Sequence, residues 1–255
     1  MPLVEVAEHL AVLRSEGARL AAAVTAAGPD AAVPSCPGWT VRDLVRHLGG
    51  VHRWATRIVA DRRRQPWNPD LAEVAGPWPD DTALVGWLAE GHAALIDTLA
   101  AAGPDLDCWT FLRAPTPLAM WSRRQAHETV IHRVDAELAA QVPTARREDL
   151  PAPVAADGID ELLSCFITRR TGQLRADRPT TLLVACTDAP GEWLVTISDQ
   201  PVRTGPPGPA PDSTLRGPAT QLYLALWNRR STDGLVADGA PWVRDLFSDR
   251  VRVRW

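Results

Sequence analysis

The chain contains no lysine: all 27 of its basic residues are arginine, set against 31 acidic residues. The formal charge of −4 and a pI near 5.9 leave no cationic field for nucleic acid or an anionic membrane. Exclusive use of arginine, with richness in Ala, Pro and Gly, fits the coding bias of a GC-rich bacterium and says little about mechanism. Cysteine is also scarce. The four residues, Cys36, Cys108, Cys165 and Cys186, are scattered and form no CxxC pair. That spacing excludes a Cys-rich zinc finger and offers no disulfide framework, so reduced thiols are the default. No apolar run approaches the ~18 residues of a membrane span. The opening MPLVEVAEHLAVLRSEGARLAAA is broken by Glu5, Glu8 and Arg14, so it does not read as a signal peptide. The expectation is a soluble cytoplasmic protein with neither nucleic acid nor membrane as partner.

What is present is an ordinary globular composition, 45% hydrophobic and 23% charged, over 255 residues. That length accommodates two modest domains with a core in each. Four long helical patterns fill the first part. The first runs from about Val4 to Ala27 and stops at Gly28-Pro29. The second follows PSCPGW, with Thr40 as N-cap and Asp43 three residues on, a capping-box start, and ends before Pro66. The third runs from near Asp80-Asp81 to Gly103-Pro104. After a Pro- and Trp-rich loop, PDLDCWTFLRAPTP, comes the fourth, LAMWSRRQAHETVIHRVDAELAA. Long helices with no strand pattern between them predict a four-helix bundle over residues 1–143.

The character changes at the charged, Pro-containing linker TARREDLPAP. Beyond it DGIDELLSCFITRR reads as a helix, and TTLLVACTD and EWLVTISDQ as a hairpin turning at APG. RTGPPGPAPDSTLRG reads as a loop, PATQLYLALWNRR as a helix and VRVRW as a terminal strand. The fold class is therefore α+β with two domains, the second a small α+β domain over residues 150–255.

The fourth helical pattern carries the chemistry. Glu128 and His132 lie four residues and only about 40° of azimuth apart, so one ion can be gripped by both from a single helix. Trp121, Gln125 and Asp135 share that stripe, whereas His127 falls among the apolar positions Met120, Ile131, Val134 and Leu138 and reads as a packed histidine. A Glu-x-x-x-His pair is equally the spacing of a solvated ion pair. A third ligand has to come from elsewhere, and the second helix offers His47 and His52. His52 lies inside its apolar arc and His47 at the edge, so periodicity leans toward His52 as the inward residue and leaves both open. Asp135 is either a residue that orients His132 or an exposed carboxylate. Arg62-Arg63-Arg64 reads as a solvated helix end, and the 11 Trp as core and loop packing.

CPGWTVRDLVRHLGG and WSRRQAHETVIHRVDAE together closely resemble the mycothiol-dependent maleylpyruvate isomerase family, and QLYLALWNRR resembles that family's C-terminal LWGR element. The resemblance spans essentially the whole chain. It implies a DinB-like four-helix domain followed by a small sterol-carrier-like α+β domain. It also implies a divalent metal, zinc first, on His47, Glu128 and His132, mycothiol as co-substrate, and Arg229 as a catalytic cation for the substrate's carboxylate. Asn228 stands where the family usually has Gly, a departure that bears on the aim of Arg229. Two imidazoles and one carboxylate leave a coordination position open for a thiol, as in catalytic zinc sites. The implied function is thiol-dependent cis–trans isomerisation or thiol transfer on a small electrophile, by a monomer or weak homodimer. The rivals are a mycothiol S-transferase for detoxification and a non-enzymatic metal- or small-ligand-binding regulatory module.

Overall fold

A computed structural model describes residues 4–169, 172–208 and 210–252. The chain divides into two compact units, one over Glu5–Arg147 and one beginning at Glu148.

The N-terminal unit holds four long helices, α1 (Val6–Ala27), α2 (Val41–Ala60), α4 (Leu84–Ala101) and α5 (Pro117–Ala139), with short helices α3 (Leu71–Ala75) and α6 (Thr144–Arg147). Their starts are written in local chemistry. Thr40 and Asp43 form a reciprocal capping box at α2: the Asp43 backbone N–H donates to Thr40 Oγ1, and the Thr40 N–H to Asp43 Oδ2 at 2.8 Å. Thr116 caps α5 by accepting from the Ala119 N–H at 3.1 Å, with Pro117 in the first turn, where its missing N–H costs nothing. Leu44, Val45 and Leu48 of α2 pack with Leu84 and Leu88 of α4 and Leu20 and Val24 of α1 in one apolar core.

Helix α5 is the axis of this unit, packed against α1, α2 and α4. Every residue from Met120 to Glu137 is buried, although the segment includes three arginines, two histidines and three carboxylates. Charged groups enter an interior only when paired. Arg133 meets that demand on the α1 side, donating to Glu16 at 2.6 Å and Glu137 at 2.7 Å.

The C-terminal unit begins with α7 (Ala152–Asp160), which runs into one turn of wider π-helix over Glu161–Phe166. Its sheet has the order β3-β2-β1-β4-β5, with β1 (Thr180–Cys186) in the centre. β2 (Glu192–Ile197) pairs antiparallel with β1, placing Val184 opposite Trp193, and β3 (Arg203–Gly205) extends that edge. On the other side β4 (Ser213–Gly217) is parallel to β1, and β5 (Val236–Gly239) closes the sheet. α8 (Ala219–Leu226) packs on α7, and α9 (Pro241–Arg250) lies on β1 and β4.

The α+β class with two units is as expected, and three expectations about elements need correction. The segment RTGPPGPAPDSTLRG is not all loop, since it supplies β3 and β4. β5 and α9 occupy a stretch with no expected element. Residues 251–252 are not strand, and the rest of VRVRW lies outside the described residues. The reason is common to β3, β4 and β5: strands of three to five residues show too few alternations to register as a period. The parallel pairing of β4 with β1 is, moreover, a non-local choice.

Candidate metal centre

The buried, charged stripe of α5 turns toward α2. His47 Nε2 lies 3.4 Å from Glu128 Oε1, and His132 Nε2 lies 3.4 Å from the same oxygen. The three side chains offer donor atoms that all fall within 4.8 Å of one another, so they could hold one metal ion. The two imidazole rings meet edge to face, centroids 5.1 Å apart. Glu128 and His132 are buried, and His47 is partly open, with 13% of its side chain exposed.

Each of these groups is held from behind. Asp135 Oδ2 accepts from His132 Nδ1 at 2.9 Å, which turns the other ring nitrogen toward Glu128. Asp135 is itself fixed, because Ser35 Oγ donates to its Oδ1 at 2.5 Å and Cys36 Sγ donates to Oδ2 at 3.5 Å. On Glu128 the second oxygen, Oε2, accepts from Arg124 at 2.6 Å, leaving Oε1 to face both imidazoles. The loop before α2 brings an aromatic ring against both imidazoles. Trp39 sits against His47 with centroids 5.1 Å apart and stacks near-parallel over His132 at 6.4 Å. Gly38, with φ of +88°, supplies the left-handed turn that brings Trp39 back.

The electrostatics follow from burial set against partners. Burial would raise the Glu128 carboxyl. The charge of Arg124 and the bonds from His132 and His47 outweigh it, holding the group well below the usual carboxylate range. Burial pushes His47 below the ordinary imidazole value, only partly offset by Glu128, so its ring is neutral near pH 7. For His132 burial acts downward too, but the bonds to Asp135 and Glu128 prevail and raise it. The set therefore offers one ionised carboxylate and one neutral imidazole outright, and a second imidazole oriented by a carboxylate. This donor chemistry fits a borderline-soft divalent ion.

His52, the residue periodicity leaned toward, points elsewhere. Its Nε2 pairs with Thr129 Oγ1 at 3.0 Å, and its ring packs against His92. Burial, reinforced by the neighbouring His92, holds it well below the ordinary value. His127 is buried edge-on against His9, as a packed histidine should be. Asp135 resolves as the orienting residue. Arg62, Arg63 and Arg64 lie at an exposed helix end, paired with Asp105, Asp61 and Asp107. Among the tryptophans, Trp54, Trp109 and Trp121 gather with Phe111 in one packed cluster.

Arg229 lies in the C-terminal unit, buried, with Nη1 donating to the Trp227 carbonyl at 2.8 Å. Asn228 adopts φ of +59°. The Asn228 N–H bonds the Ala225 carbonyl and the Arg229 N–H bonds the Leu224 carbonyl at 2.7 Å, the Schellman ending of a helix. Asn is among the few non-glycine residues that visit the left-handed region, and here its side-chain amide also donates to the distant Val251 carbonyl at 2.8 Å. The backbone bend that a glycine would supply is therefore kept.

Sequence reasoning missed Arg124, Ser35, Cys36 and Trp39. Arg124 stands one turn before Glu128 and was legible as an i, i+4 pair. The other three reach the site only through the path of a loop.

Comparison with known proteins returns two family models. One, described as the mycothiol maleylpyruvate isomerase N-terminal domain, matches residues 10–137. The other, described as the MDMPI C-terminal domain, matches residues 153–246. No curated protein matches the chain. The crystal structure of the mycothiol-dependent maleylpyruvate isomerase is similar with a TM-score of 0.63 at 14% identity, covering 92% of this chain and 93% of that one. A histidine-to-alanine mutant of that enzyme gives 0.62 at 13% identity with the same coverage. At such identity the likeness establishes a shared fold.

Proposed function

The chain belongs to the mycothiol maleylpyruvate isomerase family, and on that premise we propose that it is an enzyme dependent on a divalent metal and on mycothiol. It acts on a small electrophile, by cis–trans isomerisation of the maleylpyruvate type or by thiol transfer. The observation that carries this reading is the convergence of His47 Nε2, His132 Nε2 and Glu128 Oε1 inside a bundle. Three donors and a partly open histidine suit a site that admits a further ligand.

His47, Glu128 and His132 would hold the metal, zinc first. When bound, such an ion favours the thiolate form of an entering thiol and polarises a carbonyl oxygen. The protein's own part is preorganisation. Asp135 keeps the proton on His132 Nδ1, and Arg124 keeps Glu128 ionised while occupying one of its oxygens. Trp39 covers both imidazoles and limits water on that side. Arg229 is assigned to the substrate's carboxylate, which a planar guanidinium grips with two parallel hydrogen bonds. The bend at Asn228 supports that role by preserving the local backbone.

The test is elemental analysis of the purified protein, followed by turnover assays with mycothiol and a panel of electrophiles that includes maleylpyruvate. About one equivalent of zinc and mycothiol-dependent turnover are expected. Isomerised product identifies the isomerase, and a stable thioether adduct identifies the S-transferase. Metal-free protein with no mycothiol-dependent turnover would overturn the reading in favour of a binding module.

A further inference from the structure

The C-terminal unit holds a cavity of about 510 Å³ between the end of the π-helical turn and the end of α9. That volume lies in the range of small-molecule sites. Its floor is apolar, lined by the buried side chains of Leu162, Ile167, Leu174 and Val251. Backbone geometry shapes this floor. The Ile167 N–H donates to the Leu162 carbonyl, five residues back, at 3.0 Å. In an α-helix, side chains five residues apart point about 140° apart. The wider turn lets both line one cavity, and such turns are found most often at functional sites.

The walls are held in place. On one side the Gly172 N–H donates to the Arg169 carbonyl at 2.9 Å. A Cβ at Gly172 would lie 2.9 Å from the Ile167 carbonyl oxygen and 3.0 Å from that of Arg169, so the turn has room only for glycine. On the other side the Asn228 amide donates to the Val251 carbonyl at 2.8 Å. The resembled family usually has Gly at that position, and glycine has no side chain to make this brace. The mouth, by contrast, is charged. Arg169, Arg250, Arg252 and Asp249 line the cavity and are exposed. Asp249 Oδ1 lies 3.7 Å from Arg252 Nη2, and among the described residues Arg169 and Arg250 have no ion-pair partner.

We propose that this cavity binds a small amphiphilic carboxylate, such as a medium-chain acyl acid. The apolar body lies on the floor, and Arg169 and Arg250 take the carboxylate, which guanidinium groups grip with charge-assisted hydrogen bonds. A neutral apolar molecule would leave the two arginines unused, and a small inorganic anion would leave the floor uncovered. The site needs neither the metal nor the thiol.

The experiment uses the full chain and decanoate below its micelle concentration, with binding followed by isothermal titration calorimetry. Saturable binding of one equivalent is expected, with decanol and acetate each roughly tenfold or more weaker. Affinity should fall as salt rises. The double variant Arg169→Glu/Arg250→Glu changes only exposed side chains and should weaken decanoate by about tenfold or more, with thermal stability retained. Ile167→Trp fills the floor and should abolish binding; if it does not fold, the arginine variant decides the matter. His47→Ala should bind decanoate like the wild type. Loss of binding there would place the carboxylate at the metal centre and overturn the cavity. Wild-type affinity in Arg169→Glu/Arg250→Glu, decanol or acetate binding as tightly as decanoate, or no saturable binding at all would each overturn it as well.

Discussion

Asp135 and His132 are joined by a 2.9 Å hydrogen bond at the imidazole Nδ1, and neither side chain meets solvent. Asp135 takes two further hydrogen bonds, from Ser35 and Cys36, so the carboxylate is a fixed post rather than a mobile partner. Replacing it by asparagine removes the charge and lets an amide N–H point at the ring, which favours the wrong tautomer. Asp135→Asn is expected to weaken zinc affinity by about 10- to 100-fold. Competition against a calibrated chelator measures it, and nitrogen NMR of the imidazole reports the tautomer directly. Unchanged affinity would mean that His132 is oriented by packing alone.

The two histidines of α2 separate in a metal assay. His47→Ala, and the triple variant that also carries Glu128→Ala and His132→Ala, should purify without stoichiometric zinc. His52→Ala should keep its metal while losing about 2–4 kcal/mol of stability, since it empties a buried site and strands Thr129. Metal retained in His47→Ala and lost in His52→Ala would move the ligand to His52.

Arg229 and the bend beside it make a paired prediction. Arg229→Met should lower kcat/KM by roughly 30- to several-hundred-fold with metal content intact. Asn228→Gly should be near neutral in activity, because the left-handed conformation is already in place. Asn228→Val forces a β-branched residue to φ of +59° and should cost about 1–3 kcal/mol. Full turnover in Arg229→Met, with stability alone reduced, would leave Arg229 a helix-end residue only.

Cys186 supplies a pH signature outside the metal centre. Burial, helped by the nearby Asp188 charge, pushes its thiol up to about 12. Its folded-state value is thus above that of the unfolded chain. Any contribution to stability is present below the ordinary thiol value and is lost as pH rises from there toward about 12. At pH 8 it should alkylate far more slowly than a free cysteine, with a rate still climbing above pH 10. Mass spectrometry of timed iodoacetamide reactions resolves this, and a plateau near pH 9 would contradict the burial argument.

Much of this molecule is legible from local chemistry. The Glu128/His132 pair follows from helical spacing, the starts of α2 and α5 from Thr40 with Asp43 and from Thr116 with Pro117, and the β1–β2 hairpin from alternation around a Pro-Gly turn. These signals lie within a few residues of what they specify, so no knowledge of the rest of the chain is needed.

What lay beyond reach depends on contacts between distant segments. His52 lies inside the apolar arc of α2 and His47 at its edge, which leaned toward His52, and only the packing of α2 on α5 sets His47 against Glu128 and His52 against Thr129. Asp135 read equally as a surface carboxylate until α5 proved to be buried all round, with Ser35 and Cys36 brought to it by a loop a hundred residues earlier in the chain. The short strands β3, β4 and β5 exist because β1 and its neighbours offer them hydrogen bonds, not because their own residues demand extension. Periodicity determines which face of a helix is available; packing decides what that face meets, because helix crossing angles are set by every side chain in the interface at once.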